Sequence, residues 1–300
     1  MANMKSGWLS LVNTLQTIYK CWRFAVFASC LALIQMSGFA RAQQADPNTE
    51  QRGSDSKAAT LGSIHVAVAA NFAKPLAELI AHFRAIPAYE HVDITTTVAS
   101  SGTLYSQIKH GAPYTLFFSA DAKRPQALVD DGLVSANNLH AYALGKLVFV
   151  SKALTDTSQS TVQQMLKILQ ASVASSERIG VANPVTAPYG EAGMALLSAL
   201  QLKESLNRQL VFGNNILHTY QFYTTGNVQH ALVAQSLAQY DQLPYILVPQ
   251  HYYQPIEQKM ALINNADNSA TGQTFIDFVL SAQGQTIIAK MGYGRVLSDE

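Results

Sequence analysis

The stretch "VASSGTLYSQIKHGAP" (residues 98–113) decides how this chain is read. A β-branched run, "VDITTTVA" (residues 92–99), enters it and stops at two serines, a glycine and a threonine. Leu104 and Ile108, four apart, then mark one face of a short helix that Gly111 and Pro113 end. A strand that turns into a helix through small hydroxyl residues, with no charge at the junction, is the unit from which layered α/β folds are built. A second junction, "VAVAANFAKPLAELI" (residues 66–80), has the same form. There a buried apolar run passes Asn71 into a helix with Leu76, Leu79, Ile80 and Phe83 at i, i+3, i+4 and i+7.

The alternation continues outward from these two units. "TLFFSA" (115–120), "LVFVS" (147–151), "RIGVA" (178–182), "QLVFG" (209–213) and "HALVA" (230–234) read as strands, and "YILVP" (245–249) and "KMALI" (259–263) follow them. Between them lie helical patterns at Val162, Met165, Leu166 and Leu169, at Ala192, Leu196, Leu197 and Leu200, and over "NNILHTYQFYTTG" (214–226). A single final helix is expected to carry Phe275, Phe278, Val279, Ile287 and Ile288. Strands alternating with helices predict mostly parallel sheets flanked by helices. The number of strands favours two α/β lobes over one sheet, divided near "AYALGKLVFV". The expected lobes are residues 62–142 with 246–300, and residues 143–245.

Four of the 20 lysines and arginines, Lys5, Lys20, Arg23 and Arg41, lie in residues 1–42, where there is no acid. The remainder therefore holds 16 bases against 19 acids, a weakly acidic body that argues against nucleic acid as a partner. Lys20 and Arg23 precede the apolar "FAVFASCLALIQMSGFA", which is too short and interrupted for a comfortable membrane span and ends in "ARA". Residues 1–42 thus read as a cleaved secretory signal peptide, residues 43–61 as a flexible polar leader, and the location as periplasmic. Both cysteines, Cys21 and Cys30, fall within the signal, so no thiol chemistry is expected in the mature chain.

Ligands of open α/β sheets bind beyond the carboxyl ends of the strands, where helix N-termini gather. Four loops are expected there: Ala70 with Asn71, residues 100–103, residues 188–190 and residues 214–216. None contains lysine or arginine. Each helix start offers unpaired backbone N–H groups and about half a unit of positive charge, so four together match a dianion. Asn71, Ser101 and Tyr189 would add side-chain donors. A singly protonated phosphate needs an acceptor for its own hydrogen, and only Glu191 stands near, so donor-only loops suit a fully deprotonated tetrahedral oxyanion better. Taken one at a time, serine, threonine or asparagine before a helix is an ordinary N-cap. It is the set of four that points to a ligand.

The blocks "VAVAANF", "ASSGTLYSQIKHGAP", "LFFSAD", "ANPVTAPYG" and "TYQFYTTGN", in this order and followed by "MGYG" (291–294), resemble the molybdate-binding periplasmic proteins of ABC transporters. The resemblance implies a type II periplasmic-binding fold whose two hinged lobes close over molybdate or tungstate, with no cofactor and no catalysis. It puts molybdenum in the protein only as the bound oxyanion. It further implies a monomer that delivers its ion to a membrane permease. Carried over by position, the oxyanion-binding residues are Ala70, Asn71, Ser100, Ser101, Tyr189 and Ile216. Ala70 and Ile216 would act through backbone N–H, Ser101 through hydroxyl and N–H, and Tyr189 through its N–H or its ring hydroxyl. The chain departs from the family at Thr115 and Asn214, where acidic residues are common, and at His218. Ala234 stands where some members carry a ligating tyrosine.

Rival readings are a binder of sulfate or of ferric ion, a secreted enzyme, and an adhesion or signalling domain. "HYYQP" (251–255) with Tyr245 carries the tyrosine and histidine types that ferric ion takes. Ser100 or Ser101 could serve a nucleophilic enzyme, but neither a G-x-S-x-G elbow nor a G-x-x-x-x-G-K-[ST] phosphate loop is present. The histidines, His65, His82, His91 and His140 among them, show no metal-ligand spacing.

Overall fold

The computed structural model describes residues 62–157, 161–264 and 266–295. The expected signal peptide and leader lie outside the described residues.

The first strand, β1 (Ile64–Ala69), runs through a short 3-10 turn (Ala70–Phe72) into α1 (Ala73–Arg84). Leu76, Leu79 and Phe83 are buried, as their spacing requires of a helix lying on a sheet. β2 (Ile94–Ala99) leads into α2 (Ser101–Lys109), then come β3 (Leu116–Phe118), α3 (Lys123–Asp130) and the long β4 (Val134–Gly145). These strands and β10 (Ile256–Ile263) form a sheet of order β2-β1-β3-β10-β4. After β4 the chain builds β5 (Leu147–Ser151), α4 (Val162–Val173), β6 (Ile179–Ala182) and α5 (Pro188–Ala199). It continues with β7 (Leu210–Gly213), α6 (Ile216–Thr224), β8 (His230–Ala234), α7 (Gln235–Tyr240) and β9 (Tyr245–Leu247). The second sheet has the order β7-β6-β8-β5-β9.

The two sheets are mixed. Pairing is parallel in β2-β1-β3 and in β7-β6-β8, where strand–helix alternation demands it. It is antiparallel where β10 meets β3 and β4 and where β5 meets β8 and β9. The antiparallel strands are those beside the points where the chain changes sheets: it leaves β4 and enters β5 through Lys146 alone, and returns through residues 248–255. The borders expected at 142/143 and 245/246 therefore cut inside β4 and β9. "AYALGKLVFV" hides the first passage because two strands of different sheets are separated by a single residue.

β4 has no clear sequence signature. It lies at a sheet edge with its first half largely solvent-exposed, so it needs few apolar residues. The expected single final helix is two, α8 (Ser269–Leu280) and α9 (Ala282–Lys290). Ser281 is extended and its hydroxyl accepts from Gly284 N–H, which restarts the helix in a new direction.

Candidate functional site

The four loops meet. Ala69, Ala70 and Ala120 from the first lobe pack in one continuous apolar cluster with Tyr189, Ala192 and Ile216 from the second. α6 lies against the 70–72 turn. Ala70, Asn71, Ser100, Ser101, Tyr189 and Ile216 are all buried, none more than 4% exposed, although each stands at a helix start where polar groups ordinarily face water.

Local caps decide which donors remain. Ser100 is the N-cap of α2: its Oγ accepts from Thr103 N–H at 3.3 Å and lies 2.8 Å from Thr103 Oγ1. Asn215 caps α6, its Oδ1 accepting from His218 N–H at 2.9 Å. Gly102 N–H is taken by Thr186 O of the second lobe at 2.8 Å. These caps leave the N–H groups of Ser101 and Ile216 without an intrahelical acceptor, and α5, which has no side-chain cap, leaves that of Tyr189. Ser101 Oγ accepts from Ala120 N–H at 2.9 Å, so its own hydrogen is free to donate elsewhere.

Two expected side-chain donors, Asn71 and Tyr189, both meet Gln258. Asn71 Nδ2 is shared between Gln258 Oε1 at 2.9 Å and Tyr293 Oη at 3.0 Å. Tyr189 Oη accepts from Gln258 Nε2 at 3.2 Å. Both amide hydrogens of Asn71 are thus taken, which leaves its backbone N–H as the donor. Gln258 is the residue that sequence reasoning missed. It stands between Glu257 and Lys259, outside the expected strand 259–263, and no signal in the sequence marks it as fully buried.

The charged groups nearby are accounted for. Glu191 is exposed and lines a surface cleft with Asp121, Pro188 and Gln254. Asp121 pairs with the Arg124 guanidinium, whose Nη2 donates to Val185 O across the lobes at 2.9 Å. Asn214 is exposed, and His218 Nδ1 accepts its N–H. Thr115 is buried with its Oγ1 accepting from His65 N–H, a structural position. Burial pushes the Tyr142 and Tyr189 hydroxyls well above the usual tyrosine range, and Tyr293 likewise, so all three stay neutral beside the site.

Two of the three tyrosines of the ferric reading are hydrogen-bonded within the protein. Tyr253 Oη accepts Leu147 N–H at 3.1 Å, and Tyr245 Oη accepts from Gln235 Nε2 at 3.0 Å. Among the described residues no group of three or more histidine, cysteine or acidic side chains is placed to hold a metal ion.

The sequence profile of the family "Bacterial extracellular solute-binding protein" matches residues 64–294, both lobes and the passages between them. The chain belongs to this family. It is 33% identical to the molybdate-binding protein ModA of Rhodobacter capsulatus over 236 residues, 78% of this chain and 89% of that protein. It is 31% identical to ModA of Azotobacter vinelandii over 241 residues, 79% of this chain and 92% of that protein. The solved periplasmic molybdate-binding protein of A. vinelandii superposes with a TM-score of 0.68 at 28% identity, covering 78% of this chain and 99% of that one. The architecture is the two-lobed type II fold of periplasmic binding proteins.

Proposed function

We propose that this protein captures molybdate or tungstate between its lobes outside the cytoplasm and passes the ion to the membrane permease of an ABC transporter. The observation that carries this reading is the burial of six uncharged helix-start residues from both lobes in one place. A buried cluster of N–H donors is costly unless an acceptor arrives, and a dianion is the acceptor that also answers the helix dipoles. Ala70, Asn71, Tyr189 and Ile216 act through backbone N–H, Ser101 through N–H and hydroxyl, and Ser100 closes the cap that presents Ser101. Glu191, turned to solvent, neither repels the ion nor accepts a proton from hydrogen phosphate. Identity to the molybdate-binding relatives supports the choice of oxyanion over sulfate. The lobes, residues 62–142 with 246–300 and residues 143–245 to within a few residues, hinge at Lys146 and at 248–255. The protein acts as a monomer, since one chain supplies both halves of the site. Residues 1–42 direct export and are removed.

The test is calorimetric titration of the mature protein with sodium molybdate, tungstate, sulfate and phosphate in turn. Molybdate and tungstate should bind, and at a hundredfold excess over the dissociation constant they should stabilise the fold by about 2.7 kcal/mol. Absence of heat and of any melting shift with both ions would refute the assignment.

A further inference from the structure

Among the side chains that join the two lobes, Gln258 links two residues of the candidate site. Gln258 lies on β10 of the first sheet and is fully buried, and both ends of its amide are engaged. Oε1 accepts from Asn71 Nδ2 and from Tyr142 Oη, each at 2.9 Å, while Nε2 donates to Tyr189 Oη at 3.2 Å. Asn71 follows β1 in the first lobe, and Tyr189 stands in the first turn of α5 in the second. The path Asn71–Gln258–Tyr189 therefore links two oxyanion-contacting backbones that the chain separates by more than a hundred residues.

The surroundings are shaped to this link. A β-carbon on Gly145 would stand 2.3 Å from Tyr189 Oη and 2.7 Å from Gln258 Nε2, so only glycine lets the hydroxyl reach the amide. The β4–β10 register slips by one residue between Gln258 and Lys259, leaving Tyr142 as the extra residue of β4. Such bulges re-aim side chains, and this one accompanies a Tyr142 hydroxyl that meets Gln258 Oε1. A second strand of the network fixes the Asn71 backbone: Tyr293 Oη donates to Asn71 O at 2.8 Å and accepts from Ser236 Oγ of the second lobe at 3.0 Å. An apolar residue would fill a buried strand position at lower desolvation cost than an amide, so the amide is explained by what it connects.

We infer that Gln258 is a positioning residue for oxyanion capture, setting the separation between the Asn71 and Tyr189 backbones, one from each lobe, and acting through them rather than on the ion. The inference rests on the oxyanion-binding reading given above.

The experiment titrates sodium molybdate into the unaltered protein, Tyr189→Phe, Gln258→Met and their double variant, with dissociation rates by stopped flow and melting curves without ligand. Tyr189→Phe removes only the hydroxyl and keeps the α5 N–H. Each single variant should bind about tenfold more weakly, chiefly through faster dissociation, and the double variant should lose little more than either single. Gln258→Glu can replace the amide only as the neutral acid, so its affinity relative to the unaltered protein should fall between about pH 6 and about pH 8 as the carboxyl ionises beside a dianion. Unchanged affinity in Tyr189→Phe, additive losses in the double variant, or a flat relative profile for Gln258→Glu overturns the positioning role while the ligand assignment stands. Failure of the unaltered protein to bind molybdate overturns the assignment and this inference with it. Should Gln258→Met not fold, Tyr189→Phe and the Gln258→Glu profile decide.

Discussion

Gly102 donates its backbone N–H to Thr186 O at 2.8 Å, and a β-carbon at Gly102 would stand 2.9 Å from Thr186 Cα. The first turn of α2 and the loop before α5 thus touch backbone to backbone, one from each lobe. The glycine is required by this approach rather than by its own dihedral angles. Gly102→Ala should hold the lobes apart while leaving each lobe's core intact. Molybdate affinity should drop by about tenfold or more, with the ligand-free melting temperature nearly unchanged, as calorimetry and thermal melts will show.

In the proposed site Ser101 would serve two partners, so its loss should register twice. The hydroxyl accepts Ala120 N–H, which leaves its own hydrogen free to donate. Ser101→Ala should weaken molybdate binding by about 1.5–3 kcal/mol, the worth of a hydrogen bond to a charged group. It should also lower the ligand-free melting temperature, because Ala120 N–H is left buried without its acceptor.

Arg124 ties two segments together, one from each lobe. It pairs with Asp121 on its own lobe and reaches Val185 O on the other, and the two side chains are only 12% and 14% exposed. Arg124→Met strands the Asp121 carboxylate and should destabilise the fold by about 3 kcal/mol in denaturant titration. The double change with Asp121→Asn should recover much of that loss, because the uncompensated charge goes with it. Full destabilisation persisting in the double variant would show that the Val185 contact, not the ion pair, carries the effect.

His230 sets a pH dependence unrelated to the ligand. Burial lowers its pKa, while the hydrogen bond and charge of Glu177 only partly oppose this. Ser151 Oγ accepts Ala153 N–H, so its hydroxyl hydrogen goes to His230 Nδ1 and the ring's Nε2–H faces Glu177. The folded state favours the neutral ring and the unfolded chain takes up the proton first. Stability is therefore full above the ordinary histidine value of about 6.5 and declines as the pH falls below it. Melting curves from about pH 7.5 down to about pH 5 should show this slope, and His230→Gln should flatten it.

Much of the architecture was legible because it follows from short-range pattern. The run β1, Asn71, α1 and the run β2, Ser100, α2 declare themselves through apolar spacing and caps, and these are set within a dozen residues of chain. β4 did not, because an edge strand half open to water needs no apolar signature. The break at Ser281 was hidden because apolar residues continue on both sides of it. The residues of the candidate site were legible one junction at a time, as helix starts.

What the chain alone determined is where its strands become helices and that no cation stands at those junctions, since both depend on neighbouring residue types. Tertiary structure alone decided that the junctions meet, which of their donors stay free, and that Asn71 and Tyr189 turn their side chains to Gln258. Hydrogen-bond partners separated by 69 and 187 residues leave no periodic trace in sequence. They arise only when two sheets are brought together and each buried polar group must find an acceptor or donor within about 3 Å.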